Sequence, residues 1–134
     1  MASALFDKGR EGFLAGDIAW DSDDVRVMLV KSAYSFNAAH QFVSDVATAG
    51  DNGRSAALGS KTVTSGVADA ADTTLTATAA AACNALIVYQ YNASDTAARL
   101  IAYIDSASGL PMTPAASATV NIAFDSGANR IFKL

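Results

Sequence analysis

Charge is scarce in this chain. Asp, Glu, Lys and Arg make up 16% of its 134 residues, against about 25% in an average globular domain. The shortage is uneven, with 12 Asp against one Glu and only 4 Lys. A surface helix draws its outer face from Glu, Lys, Gln and Arg, so a helical bundle is excluded. Hydrophobic residues at 51% exclude a disordered tail. A single cysteine, Cys83, cannot form an internal disulfide, which excludes a small secreted disulfide scaffold. No apolar run approaches the roughly 18 residues of a membrane span. The opening segment lacks the basic region and apolar core of a signal peptide. A net charge of −4 repels a phosphate backbone. The expectation is one soluble, intracellularly made domain with no membrane and no nucleic acid among its partners. At this size, stability gained by oligomerisation is expected.

In place of charge the chain carries 30 Ala, 13 Ser and 10 Thr. Thr, Ser, Asp and Gly favour strands and turns. One helix is expected over residues 3–15, capped by Ser3 and stopped by Gly16, with Leu5, Phe6, Phe13 and Leu14 on one side. A second short helix is expected over 37–46, with Asn37 as cap and Phe42, Val43 and Val46 inward. Asp51-Asn52-Gly53 reads as a turn. Strands are expected at 25–30, 61–65, 73–78, 85–89, 100–104, around 120–124 and at 130–134, with a turn at Gly66. Residues 85–89 are apolar on both faces, as a central strand requires. The alanine run 79–82 fits either a helical turn or a tight connection. The fold class expected is mainly β: a single-domain β-sandwich or jelly-roll-like body over 17–134, preceded by a helical segment over 1–16.

The chemistry-bearing residues do not assemble into a motif. His40 is the sole histidine and would have to serve any nucleophilic triad, yet no Gly-x-Ser-x-Gly elbow accompanies it. Cys83 and His40 cannot supply the four ligands of a structural zinc site. Asp21, Asp23 and Asp24 could hold a hard cation, but the EF-hand glycine and glutamate are missing, which favours an acidic turn. Gly53 to Thr62 superficially resembles a phosphate loop, but five residues rather than four separate Gly53 and Gly59, and Ser60 precedes Lys61. Asn92-Ala93-Ser94 is a formal sequon without an expected secretory route. Tyr89, Tyr91 and Tyr103 could stack bases, but no Lys/Arg stripe accompanies them. No catalytic residue, cofactor or metal is expected.

Several words of the chain are similar to those of a family of small tailed-phage virion proteins. They are 5–14 (LFDKGREGFL), 16–20 (GDIAW), 27–30 (VMLV), 61–64 (KTVT) with 66–70 (GVADA), 100–105 (LIAYID), 109–114 (GLPMTP) and 125–134 (DSGANRIFKL). The resemblance runs nearly end to end and is weakest across 32–60 and 79–98. It implies a non-enzymatic virion component, best placed as a capsid decoration (cement) protein. Such a protein sits outside the shell, bridges major capsid protein subunits and forms a homo-oligomer on the particle. Acidic charge suits an outer surface better than a DNA-filled interior. The alternatives are a neck, tail or fibre-attachment component and, from another class, a carbohydrate- or cation-binding module. Phe6, Phe13, Leu14 and Trp20 are the expected contact residues, because aromatics anchor interfaces. The competing reading is that they close one end of the sandwich.

Overall fold

Period-two alternation with apolar residues on both faces makes a strand that is covered on both sides. The longest strands of the chain have that pattern. The computed structural model describes residues 3–134. Strands β2 (Val25–Lys31), β7 (Cys83–Gln90) and β8 (Arg99–Ile104) run antiparallel at the centre of a five-stranded sheet. Short strands β1 (Ala4–Leu5) and β3 (Asp51–Arg54) form its edges, giving the order β1-β8-β7-β2-β3. The expected central strand is therefore central.

The two faces of this sheet bury different residues. Val25, Val27, Leu29, Leu86, Val88 and Ile104 point into the larger core. Its other wall comes from two small antiparallel sheets. One has the order β10 (Phe132–Lys133), β5 (Val67–Asp69), β4 (Thr62–Thr64); the other pairs β6 (Thr73–Thr76) with β9 (Thr119–Ile122). Ala68, Leu75, Val120, Ile122 and Phe132 supply the apolar side of that wall. Met28, Val30, Ile87, Tyr89 and Leu100 point the opposite way, under Tyr34, Val43 and Val46. The protein is mainly β, with a sandwich-like body and a second core beneath a helix and loop.

Two helices frame the sheet. Helix α1 (Asp7–Ala15) lies across β8, where Gly9 comes so close that an added Cβ would sit 2.9 Å from the carbonyl oxygens of Leu100 and Ile101. It ends on Gly16 at φ 79°, as expected of a glycine stop. The expected Ser3 cap is corrected. Ala4–Leu5 pairs with β8, so the helix starts only after Phe6, and the Ser3 hydroxyl instead bonds Asp105.

The second helix also starts later than expected. Helix α2 spans Ser44–Gly50, not 37–46. The Asn37 side chain accepts from the Ala39 N–H and makes a local turn. Gln41 and Phe42 are held against the start of β8, with Leu100 N–H on Gln41 O and Phe42 bridged to Arg99, and Val43 N–H reaches Ala98 O. Helical geometry begins only at Val43, at φ −55° and ψ −32°.

The turn expected at Asp51-Asn52-Gly53 is a strand paired with β2. The local signal is present, since Gly53 N–H donates to Asp51 Oδ1. Tertiary bonding overrides it through the buried Asn52. Its amide donates to Ala79 O and Cys83 Sγ and accepts from Ala79 N–H and the Thr78 hydroxyl. Those bonds fix the alanine run 79–82 as an irregular crossing from β6 to β7. The turn at Gly66 is present, with Ser65 and Gly66 at φ 54° and 77° joining β4 to β5 in a two-residue hairpin.

Candidate functional site: an apolar rim beside the first helix

Phe132 organises this end of the molecule. Trp20 meets its ring edge-on at 5.2 Å and 87°, and Phe13 lies 5.7 Å from it. The Trp20 indole N–H reaches Asp69 O at 3.1 Å. Trp20 is thereby satisfied as well as buried, the usual state of an inward tryptophan. Phe6, fully buried, points to the other core and packs on the partly exposed Phe36 at 5.2 Å. The four expected contact residues therefore separate. Phe6 and Trp20 close the two cores and present no apolar surface outward, Phe13 is half-buried, and Leu14 is 89% exposed.

Leu14 is not isolated. With Phe13, Leu5 and Leu134 it lines a shallow groove of ≈ 380 Å³, rimmed by Arg10 and Lys133. Leu134 is 59% exposed. Arg10 reaches Asp7 at 3.6 Å, a long surface pair of little energetic weight. The result is a continuous apolar strip with cationic edges on an acidic protein. Leu134, Lys133 and Phe132 escaped the sequence reading, because a C-terminal pair of apolar residues reads as a strand end. What brings them to α1 is the pairing of β10 with β5, with Leu134 N–H on Gly66 O.

The remaining candidates have structural partners. His40 Nδ1 lies 2.8 Å from the Tyr34 hydroxyl. Burial raises the Tyr34 phenol above its ordinary range. Cys83 is fully buried, and burial pushes its thiol up, which leaves it a weak nucleophile. The acidic turn does not converge on a point. Asp23 accepts from Ala19 N–H and the Gln90 amide, while Asp24 takes a two-pronged bond from Arg26 at 2.9 Å. The Arg26 bond holds the Asp24 carboxyl below the usual range. Among the described residues, no cluster of His, Cys, Asp and Glu is grouped to hold a metal ion. In the stretch resembling a phosphate loop, Gly53 and Arg54 lie in β3 and Lys61 bonds back to Asp23 O. Of the three tyrosines, Tyr89 and Tyr103 are buried, and Tyr91 lies under the Arg26 guanidinium, 3.8 Å from ring centre to carbon. They form no stacking platform.

Comparison of the chain with protein-family models, with curated proteins and with solved structures gave no match.

Proposed function

We propose that this chain is a non-enzymatic structural protein of a tailed-phage virion, a capsid decoration protein that binds the outer shell and bridges major capsid protein subunits. The observation that carries the docking role is the apolar rim of Leu14, Phe13, Leu5 and Leu134 with its cationic edges. A side chain of that size, 89% exposed, is a candidate anchor for a partner. The Ala, Ser and Thr in which the chain is rich have few rotamers to lose on contact, so packing them costs little entropy. Binding free energy from many such copies opposes the outward pressure of packed DNA, because it accrues only to the closed shell.

The resemblance in sequence words supports a virion component, and the acidic charge supports the outer surface over the interior. Copy number tests the placement. Quantitative gels of purified virions are expected to give hundreds of copies per particle. A handful would place the chain in the neck, tail or fibre attachment and overturn the shell reading. The cation-binding reading is less favoured, because Asp23 and Asp24 already bond their own chain.

A further inference from the structure

The two-stranded sheet of β6 and β9 leaves one of its edges open. Its register sets Thr73 opposite Ile122 and Leu75 opposite Val120, and Ala77 N–H donates to Ala118 O in the same phase. Bonded and non-bonded pairs alternate in an antiparallel ladder. Ala118, Val120 and Ile122 therefore turn their backbone groups toward β6, and Phe124 keeps the phase with its N–H on Asp72 Oδ1 at 2.8 Å. Thr119, Asn121 and Ala123 turn theirs the other way. Among the described residues, these outward groups meet no other backbone.

Beside that open edge lies a cleft of ≈ 300 Å³, floored by the buried Leu29 and Leu86 and flanked by Leu110 and Met112. It runs past Ala107 and Ser108 into a second hollow of ≈ 270 Å³ that ends on Asp125. No cation lines either hollow. Strand β4 also has an open edge, but the hollow at its sheet is lined mostly by polar residues, among them Thr62, Thr64, Asp69 and Arg130, and Val67 is its one large apolar residue.

Outward backbone groups on alternate residues repeat at roughly 6.8 Å, the spacing of an extended chain. A globular side chain or a small molecule does not match that row, whereas a strand does. The edge also lacks the Lys or Pro that commonly blocks such pairing. We propose that β9 is a strand-addition site for an extended segment of a partner protein. The segment pairs with Thr119, Asn121 and Ala123, sets an apolar side chain into the cleft over Leu86 and Met112, and places a Lys or Arg over Asp125. This site is separate from the rim at Leu14 and stands whether or not the shell reading does.

The probe is a displayed library of seven-residue peptides that alternate apolar and Thr positions and end, at either terminus, in Lys, Asp or Ala. The full chain is expected to enrich Lys-ended members, and the bound peptide to slow hydrogen exchange at the amides of Thr119, Asn121 and Ala123. Asn121→Pro removes an outward donor at a position where an edge strand tolerates proline; it is expected to weaken binding at least tenfold with an unchanged melting temperature. Asp125→Lys is expected to shift selection from Lys-ended to Asp-ended peptides, a readout that a loss of folding cannot produce. No enrichment over a scrambled library, protection elsewhere on the surface, or unchanged selection by Asp125→Lys overturns the proposal. Protection of the three amides that grows with protein concentration and without peptide overturns it in favour of pairing between two copies.

Discussion

Arg54 and Asp95, 41 residues apart, face each other in a two-pronged ion pair with N–O distances of 2.8 and 2.9 Å. The Arg54 Nε–H turns aside to Asp51 at 3.0 Å, and the guanidinium lies over the Tyr89 ring. One side chain thus ties β3 to the loop that carries Asp95 between β7 and β8. The Asp95 bond raises the Arg54 pKa, and the same bond holds the Asp95 carboxyl below its usual range.

Both partners are partly open to solvent, so the pair is worth about 0.5–1 kcal/mol, not a buried-pair value. A double-mutant cycle with Arg54→Ala and Asp95→Ala, read by urea unfolding, is expected to return a coupling of that size. Zero coupling would make the contact ornamental.

The acid side of the stability curve follows from three depressed carboxyls: Asp24, Asp45 and Asp95. Hydrogen bonds to Arg26, to the Phe42 and Gln41 amides and to Arg54 hold them down. Each folded-state pKa lies below the unfolded one, so each contributes stability above the ordinary Asp value of about 3.9 and loses it as pH falls through the lowered value. Asp95→Asn is expected to flatten the loss below that range while costing stability at neutral pH. Melting temperatures measured across the acid range check it; an unchanged slope contradicts it.

Gly53 is the least replaceable glycine. It sits at φ 121°, and an added Cβ would lie 2.2 Å from the carbonyl oxygen of Thr76. Backbone strain and a rigid clash act together, so Gly53→Ala is expected to cost about 3 kcal/mol or more. Gly16→Ala, with open space around it, pays only for its left-handed φ and is expected to cost about 1 kcal/mol.

The Cys83 thiol is expected to resist a thiol reagent such as dithionitrobenzoate in the native state and to react once the chain unfolds. It is fully buried, receives the Asn52 amide at 3.1 Å, and has its pKa raised by burial. Fast native labelling would show that the crossing 79–82 opens readily.

Much of the fold was legible because apolar periodicity is a local signal. β2, β7 and β8 were readable from residues 25–30, 85–89 and 100–104, and the hairpin at Gly66 from its turn glycine. The misses share a cause: hydrogen bonding to segments distant in sequence, by a side chain in one case and by backbone in the other. Asn52 turned a turn signal into a strand, and pairing of 41–43 with the start of β8 moved a helix. The site was legible in part. Leu14 and Phe13 were readable as surplus apolar residues near a helix end, whereas burial of Phe6 and Trp20 depends on Phe36, Asp69 and Phe132, none of them close in sequence.

The docking role rests on the rim, and Leu14 isolates it, because its exposure leaves little packing to lose. Leu14→Asp is expected to change stability by no more than about 0.5 kcal/mol. The most direct measurement is co-sedimentation of the purified chain with capsids that lack it, comparing the native sequence with Leu14→Asp. Saturation at hundreds of copies per shell is expected for the native chain, with at least tenfold weaker binding for the variant. No sedimentation of the native chain with the shell, or equal binding by Leu14→Asp, would contradict the docking role.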